Sequence, residues 1–92
     1  MRVKFNYREI SEMFGASVES EIKGNNDVVL ENLKYLAKLG FSELEEIFYR
    51  NAIIFLYSNQ EFKRRVNDLI KEIGKDYLMV LQSDLEYWTK LY

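Results

Sequence analysis

Two pairs of glutamates are the side chains in this sequence whose type and spacing could support acid–base or metal chemistry. Glu9 and Glu12 are three residues apart, as are Glu43 and Glu46, so each pair can share one face of a helix. Such a pair binds a hard cation or transfers protons where a cleft shifts its pKa. Acidic side chains are also favoured in the exposed first turn of a helix, where they complement the helix dipole. We favour this second interpretation because no other catalytic residue types accompany the glutamates.

The residue types on which most enzymes depend are missing from the chain. Its 92 residues include no His and no Cys, which removes the commonest general base, the commonest metal ligand and the thiol nucleophile. The sequence contains no Gly-rich phosphate-binding motif either. We therefore expect that the protein is not an enzyme, and we expect no cofactor, no metal ion and no small-molecule substrate.

A basic cluster begins at residue 63 and could contact phosphate groups. Its members lie on one predicted helix or directly after it: Lys63, Arg64, Arg65, Lys71 and Lys75. Asp68 and Glu72 lie among them at the spacing of intrahelical ion pairs. The positions 34 residues before Arg64, Lys71 and Lys75 hold no basic residue. We interpret the cluster as a solvated helix face, with a nucleic-acid groove as the alternative.

Aromatic and apolar residues at the C-terminus predict a contact surface. The four residues concerned are Tyr87, Trp88, Leu91 and Tyr92, and they lie on or beside the apolar stripe of the final predicted helix. Core packing is the usual role of such residues, but the terminal helix of a helical stack is expected to have a polar outer face. We therefore predict that these four residues bind a second protein or another copy of this chain.

Composition and charge are typical of a small folded domain. Hydrophobic residues make up 48% of the chain, which is ample for a core. The net charge of −2 argues against a protein whose main task is to hold phosphate backbones. Residues 1–5 lack the apolar run of a signal peptide, and the longest apolar run, residues 52–57, is too short to cross a membrane. We expect one cytoplasmic domain over residues 1–92, with no membrane segment.

The spacing of apolar residues predicts helices along most of the chain. Proline is absent and there are only four glycines, so helix breakers are few. Apolar residues recur every three or four positions in five segments: residues 10–14, 29–36, 44–48, 62–73 and 78–92. Capping-box patterns begin at Ser42 and Ser58. Gly40 and Gly74 each follow a helical stripe, where a left-handed residue would end the helix.

Residues 7–14 align with residues 41–48 at an interval of 34. Both segments have glutamates at the third and sixth positions and end in phenylalanine. Gly40 and Gly74 are also 34 residues apart, and a partial third copy places Asp76 in the position of Ser42. Because caps, glycines and apolar positions align together, we predict an all-α fold. This fold is a short right-handed stack of about two and a half helical repeats, in which each unit covers the apolar face of its neighbour.

The middle unit resembles one repeat of the mitochondrial transcription termination factor (mTERF) family. That repeat reads Gly-Phe-Ser, an acidic helix, Arg-Asn-Pro, a short Leu-Leu turn and a helix that ends in Leu-Gly. The matching segments here are Gly40-Phe-Ser, Arg50-Asn-Ala and residues 62–74, with Ala52 in place of the family's proline. The resemblance implies a curved helical stack whose concave groove binds double-stranded DNA or structured RNA.

Two functional interpretations are compatible with these features. The first is a non-catalytic helical-repeat module that binds a protein partner or itself, which suits the acidic net charge and the C-terminal aromatic residues. The alternative is an mTERF-like module that binds nucleic acid and takes part in transcription or RNA metabolism. In that case the basic cluster would contact phosphates, and binding would fall steeply with salt concentration.

Overall fold

Six α-helices and two 3₁₀ helices make up the regular structure of residues 7–91, which are the residues that the computed structural model describes. The α-helices are α1 (Tyr7–Phe14), α2 (Ala16–Gly24), α3 (Asn26–Leu39), α4 (Leu44–Arg50), α5 (Asn59–Ile73) and α6 (Tyr77–Ser83). The first 3₁₀ helix, Ala52–Leu56, connects α4 to α5, and the second, Leu85–Leu91, follows α6. No strand occurs in this range, so the all-α prediction is confirmed.

A row of phenylalanine rings joins three consecutive elements in the core. Phe48 of α4, Phe55 of the first 3₁₀ helix and Phe62 of α5 are fully buried. The ring centroids of Phe48 and Phe55 are 5.4 Å apart, and those of Phe55 and Phe62 are 5.1 Å apart. Aromatic pairs at such distances contribute about 0.5–1.5 kcal/mol beyond the burial of their area. The short 3₁₀ helix is thus fixed from both sides.

Two of the predicted helix ends are formed as expected. Gly40 ends α3 in the left-handed conformation, with φ 108° and ψ 3°. Ser58 caps the N-terminus of α5, and its Oγ accepts a hydrogen bond from the amide of Glu61 at 3.3 Å. Gly74 also has a positive φ of 95°, but its ψ of −159° is extended. The prediction of a left-handed residue is therefore confirmed at Gly40 and wrong at Gly74.

The N-terminus of α4 is capped by a residue from α6. The carbonyl oxygen Oε1 of Gln82 accepts hydrogen bonds from the amides of Ser42 and Glu43, at 2.8 and 3.0 Å. The hydroxyl of Ser42 donates to the same atom at 3.1 Å, so Ser42 does not cap its own helix as predicted. These two amides immediately precede Leu44, the first residue of α4, where backbone N–H groups have no partner within the helix. Gln82 supplies that partner from forty residues further along the chain.

The chain bends at Asp84 and does not continue as a single helix from Leu78 to the C-terminus. Asp84 has φ −124° and ψ 93°, and its carboxylate accepts a hydrogen bond from the amide of Glu86 at 3.1 Å. Aspartate favours such local bonds to the backbone over helix continuation. The prediction of one helix over residues 78–92 is therefore wrong at this residue. Within residues 7–91, no helix combines the length and the apolar character needed to cross a bilayer.

Candidate functional site: a lysine-lined groove between α3 and α5

Trp88, predicted to bind a partner, lies in the core. Its side chain is fully buried, and its indole N–H donates to the carbonyl of Leu81 at 2.9 Å. Its ring meets that of Phe41 edge to face, with 5.5 Å between the centroids. The bend at Asp84 turns the second 3₁₀ helix back onto the core and so makes these contacts. The prediction of an exposed Trp88 is wrong for this reason.

The other residues of the predicted C-terminal surface are placed differently from one another. Leu91 is buried, with 3% of its surface exposed, so its side chain is not accessible to a partner. Its carbonyl accepts a hydrogen bond from Nη1 of Arg65 at 2.9 Å. Tyr87 is half-buried, and the ammonium of Lys90 lies 5.3 Å from the centroid of its ring. Tyr92 lies outside the described residues.

Arg64 and Arg65 of the predicted basic cluster are engaged within the protein. Glu61 accepts hydrogen bonds from Nε of both arginines, at 3.2 Å from Arg64 and 2.8 Å from Arg65. These two bonds lower the pKa of Glu61 from 4.5 to about 2. Arg64 also pairs with Asp68 at 3.6 Å, and the guanidinium of Arg65 lies 4.5 Å from the ring centroid of Tyr57. Both cations therefore already have partners inside the fold.

The lysines of the same cluster are exposed. Lys63, Lys71 and Lys75 form no ion pair with any residue that the structure describes. Lys63 lies over the ring of Tyr35, 5.4 Å from its centroid. An exposed ammonium group without an ion-pair partner can bind an anion at little cost in lost interactions. The structure thus separates the cluster into two arginines that stabilise the fold and three lysines that face solvent.

Lys63 lines a groove of about 480 Å³ between α3 and α5. The residues around this groove are Glu31, Lys34, Tyr35, Lys38, Leu39, Asn59 and Lys63. Lys34 and Lys38 are exposed, and they too form no ion pair within residues 7–91. With Glu31 as the only acid among the lining residues, the three lysines leave the lining with two net positive charges.

The spacing of the lysines suits a linear anion. Lys34 and Lys38 are one helical turn apart on α3, a rise of about 6 Å, and Lys63 approaches from α5. On α5, Lys63, Asn67 and Lys71 follow one another at intervals of four, so Lys71 continues the row of Lys63 along the helix. Each ammonium group offers three hydrogen-bond donors. The arrangement can hold successive phosphates or carboxylates.

Tyr35 provides a fixed aromatic ring inside the groove. Its hydroxyl donates a hydrogen bond to Oδ1 of Asn67 at 2.6 Å, which ties the ring on α3 to α5. The residue is half-buried, and the ammonium of Lys63 lies 5.4 Å from its ring centroid. A side chain held at both ends in this way keeps its orientation before a ligand arrives.

A buried asparagine sets the position of the groove walls. Nδ2 of Asn32 donates to the carbonyls of Phe55 and Tyr57, both at 2.9 Å, and Oδ1 of Asn32 accepts from Nδ2 of Asn59 at 3.0 Å. Asn32 is fully buried, so these bonds replace water that its amide has lost. They hold α3 against the segment that leads into α5 and keep Asn59 at the edge of the groove.

Sequence reasoning missed Lys34 and Lys38. A groove formed by repeats is expected to have cations at equivalent positions of successive units. The positions 34 residues after Lys34 and Lys38 are instead the acidic Asp68 and Glu72. The groove instead collects lysines from the facing sides of two helices, where equivalence is not required. Lys34 and Lys38 are four residues apart on the polar side of α3, and this spacing could have indicated an exposed row of basic residues.

The predicted glutamate pairs lie away from this groove. Glu12 forms an ion pair with Arg8 at 3.4 Å, while Glu9 and Glu46 line a separate depression of about 400 Å³ between α1 and α4. Glu43 is exposed at the start of α4. No three Asp or Glu side chains converge as a metal site in the part of the chain that the structure describes.

Comparison of the chain with protein-family models, with curated proteins and with solved structures finds no match. Function is therefore inferred from the sequence and from the groove. The groove contains cations, an amide and a fixed ring.

Proposed function

We propose that this chain is a non-catalytic binding module that holds nucleic acid at the groove between α3 and α5. The observation that carries the proposal is the convergence of Lys34, Lys38 and Lys63 on one groove, without ion-pair partners among residues 7–91. Lysines that contact phosphates displace the counterions condensed on the nucleic acid, and this release drives binding even where no base is read. Lys71 extends the same basic surface along α5.

The net charge of −2 does not oppose this function, because charge is unevenly distributed over the chain. The acidic residues of α1 and α4 lie beside their own depression, whereas the groove between α3 and α5 is lined by three lysines and Glu31. The lining of the groove carries two net positive charges, so a phosphate there meets a locally favourable charge.

The resemblance to the mTERF family supports the same proposal, and with it a right-handed stack of helical repeats. Leu39 and Ile73, the last residues of α3 and α5, are 34 positions apart. A short α-helix followed by a 3₁₀ helix occurs twice, as α4 with residues 52–56 and as α6 with residues 85–91. The two pairs begin 33 positions apart, one short of the predicted interval of 34, and an element order that recurs at a nearly constant interval is what a stack of related units requires.

The proposal is tested by fluorescence anisotropy with labelled DNA and RNA, single-stranded and duplex, at low salt. The double variant Lys34→Gln/Lys38→Gln removes two groove cations and is expected to reduce the salt slope, d log K/d log [salt], by about 1.4–1.8. The control is Lys23→Gln/Lys90→Gln, which removes two lysines that are paired with Glu19 and Glu72. We expect the control to bind like the wild type.

Three outcomes would overturn the assignment. The first is that neither DNA nor RNA binds at low salt. The second is an equal loss of affinity in the groove variant and in the control, which would point to net charge alone. The third is tighter binding of an acidic peptide than of any nucleic acid, because carboxylates can occupy the same lysines.

Self-association is a second candidate function, and the surface of α6 favours it. Residues 77–83 include no charged side chain, and Met79 is 65% exposed. A helix without charged side chains can pack against a second chain without burying an unpaired charge. Tyr87, half-buried on the following 3₁₀ helix, belongs to the same proposed protein-binding surface. Light scattering over a range of protein concentrations tests self-association. A molar mass that stays that of a monomer at every concentration, in both the wild type and Met79→Glu, would exclude self-association.

A further inference from the structure

We infer that the groove selects a single strand over a duplex, because one unpaired base stacks on the ring of Tyr35 while the lysines hold the phosphates beside it. This inference rests on the function proposed above and adds to it the class of nucleic acid, which differs from the double-stranded DNA or structured RNA that the mTERF resemblance implies. It follows from the position of one aromatic ring among three lysines that have no ion-pair partner within residues 7–91.

An aromatic ring among lysines has a role in binding a single strand that it lacks with a duplex. In a duplex the bases are stacked on one another, and a protein at its surface meets mainly phosphates and sugars. In a single strand each base has a free face, and stacking on an aromatic side chain is the usual complement to a basic groove. Tyr35 is half-buried at the groove and is held by Asn67 at 2.6 Å, so its ring is already positioned to receive a base.

The volume of the groove also suits an unpaired nucleotide. The volume of about 480 Å³ lies within the range of pockets that hold small organic ligands, roughly 300–1,000 Å³. A nucleotide is a ligand of that class.

Lys63 has two positions in this arrangement. In the free protein its ammonium lies 5.4 Å from the ring centroid of Tyr35, where it makes a cation–π contact. A base that stacks on this face displaces the ammonium, whose flexible stem lets it turn to a neighbouring phosphate. A charge-assisted hydrogen bond to phosphate then replaces the cation–π contact. Lys63 therefore covers the stacking surface until a strand arrives.

The experiment compares single-stranded and duplex probes of about 12 nucleotides, a length within the usual site size for one binding domain. The probes are labelled oligothymidylate, a mixed-sequence duplex of the same length, and a strand of abasic residues that keeps the phosphates and lacks the bases. We expect the wild type to bind oligothymidylate more tightly than the other two. Tyr35→Leu should weaken binding of oligothymidylate about 5- to 150-fold and leave duplex binding unchanged.

Two controls separate the role of the ring from its surroundings. Tyr35→Phe keeps the ring and loses the hydroxyl bond to Asn67, so its affinity should lie between those of Tyr35→Leu and the wild type. Tyr87→Leu removes a different half-buried tyrosine that also lies beneath a lysine, and it should bind oligothymidylate like the wild type. Circular dichroism shows whether each variant keeps its helical content.

A fluorescence measurement on the wild type makes the test independent of any variant. 2-Aminopurine in the middle of the strand is expected to lose fluorescence on binding, because stacking quenches it. Equal affinity for the abasic strand, equal affinity for the duplex, or unchanged 2-aminopurine fluorescence would overturn the stacking inference and leave the proposed function standing. Failure of every probe to bind at low salt would instead overturn the proposed function.

Discussion

Replacement of Trp88 by phenylalanine tests whether this residue belongs to the core, as the structure shows, or to a surface. The substitution keeps an aromatic ring against Phe41 and removes the indole N–H that donates to the carbonyl of Leu81 at 2.9 Å. That carbonyl lies in the last turn of α6, where helical carbonyls lack an intrahelical partner. The variant therefore loses one buried hydrogen bond and part of a buried side chain.

The expected cost follows from these two losses. A buried hydrogen bond contributes about 0.5–1.5 kcal/mol. Phenylalanine buries roughly 40 Å² less apolar area than tryptophan, which at about 25 cal/mol per Å² is about 1 kcal/mol. We therefore expect Trp88→Phe to lower the free energy of unfolding by about 2 kcal/mol. A domain of this length has a total of roughly 5–14 kcal/mol, so the loss is a substantial fraction.

Urea denaturation followed by far-UV circular dichroism measures this change, since the variant lacks the only tryptophan as a fluorescent probe. With a slope of about 2 kcal/mol per molar urea, the midpoint should fall by about 1 M. Tyr87→Phe is the matched control. Tyr87 is half-buried and its hydroxyl forms no hydrogen bond within residues 7–91, so its midpoint should stay near that of the wild type. A shift below about 0.5 kcal/mol for Trp88→Phe, the range of ordinary surface substitutions, would refute the reasoning.

Three further substitutions examine other contacts. Gln82→Ala removes the cap of α4 and should lower the free energy of unfolding by about 1 kcal/mol, which corresponds to a fall in Tm of about 4–8 °C. Gln82→Glu keeps a hydrogen-bond acceptor and should lose less stability. Equal losses in the two variants would argue against capping. Gly40→Ala places a Cβ on a residue with φ 108°, 3.2 Å from a methyl group of Leu78, so thermal denaturation should show that the free energy of unfolding falls by about 1–2 kcal/mol. In the control Gly24→Ala the new Cβ meets no atom within 4 Å, so stability should stay the same or increase. The lowered pKa of Glu61 means that its ionised form stabilises the fold above about pH 4.5 and that this contribution is lost as the pH falls toward 2. Glu61→Gln should therefore flatten Tm against pH in that window, and an unchanged acid limb would contradict the ion-pair assignment.

Local sequence signals predicted most of the helices, because they depend on neighbours in the chain. The period of apolar residues placed α1, α3, α4 and α5 close to their observed bounds. The cap at Ser58 and the left-handed Gly40 were also predicted, since each depends on a few adjacent residues. The bend at Asp84 was missed because apolar periodicity continues across it, while the local bond of its carboxylate to Glu86 interrupts the helix.

Contacts between distant residues could not be predicted in the same way. Ser42 has every feature of a capping residue, and only the position of α6 explains why Gln82 takes that role. Asn32 is a polar residue on the apolar side of α3, and its partners lie 23 and 25 residues away. The candidate groove depends on the same long-range packing, so its lysines from α3 could not be assigned to it from the sequence.

The bond between Gln82 and the start of α4 has a consequence for how the protein opens. Linear helical arrays commonly fray from their ends, because each terminal unit contacts only one neighbour. Here α6 supplies hydrogen bonds to the start of α4, and Trp88 covers Phe41 beside it. Loss of the packing of α6 and the second 3₁₀ helix would therefore expose amides at the start of α4 and the ring of Phe41. The amides of the C-terminal segment should therefore exchange slowly with solvent. Their exchange rates should increase together with those of α4 when the protein is destabilised, as expected of one cooperative unit.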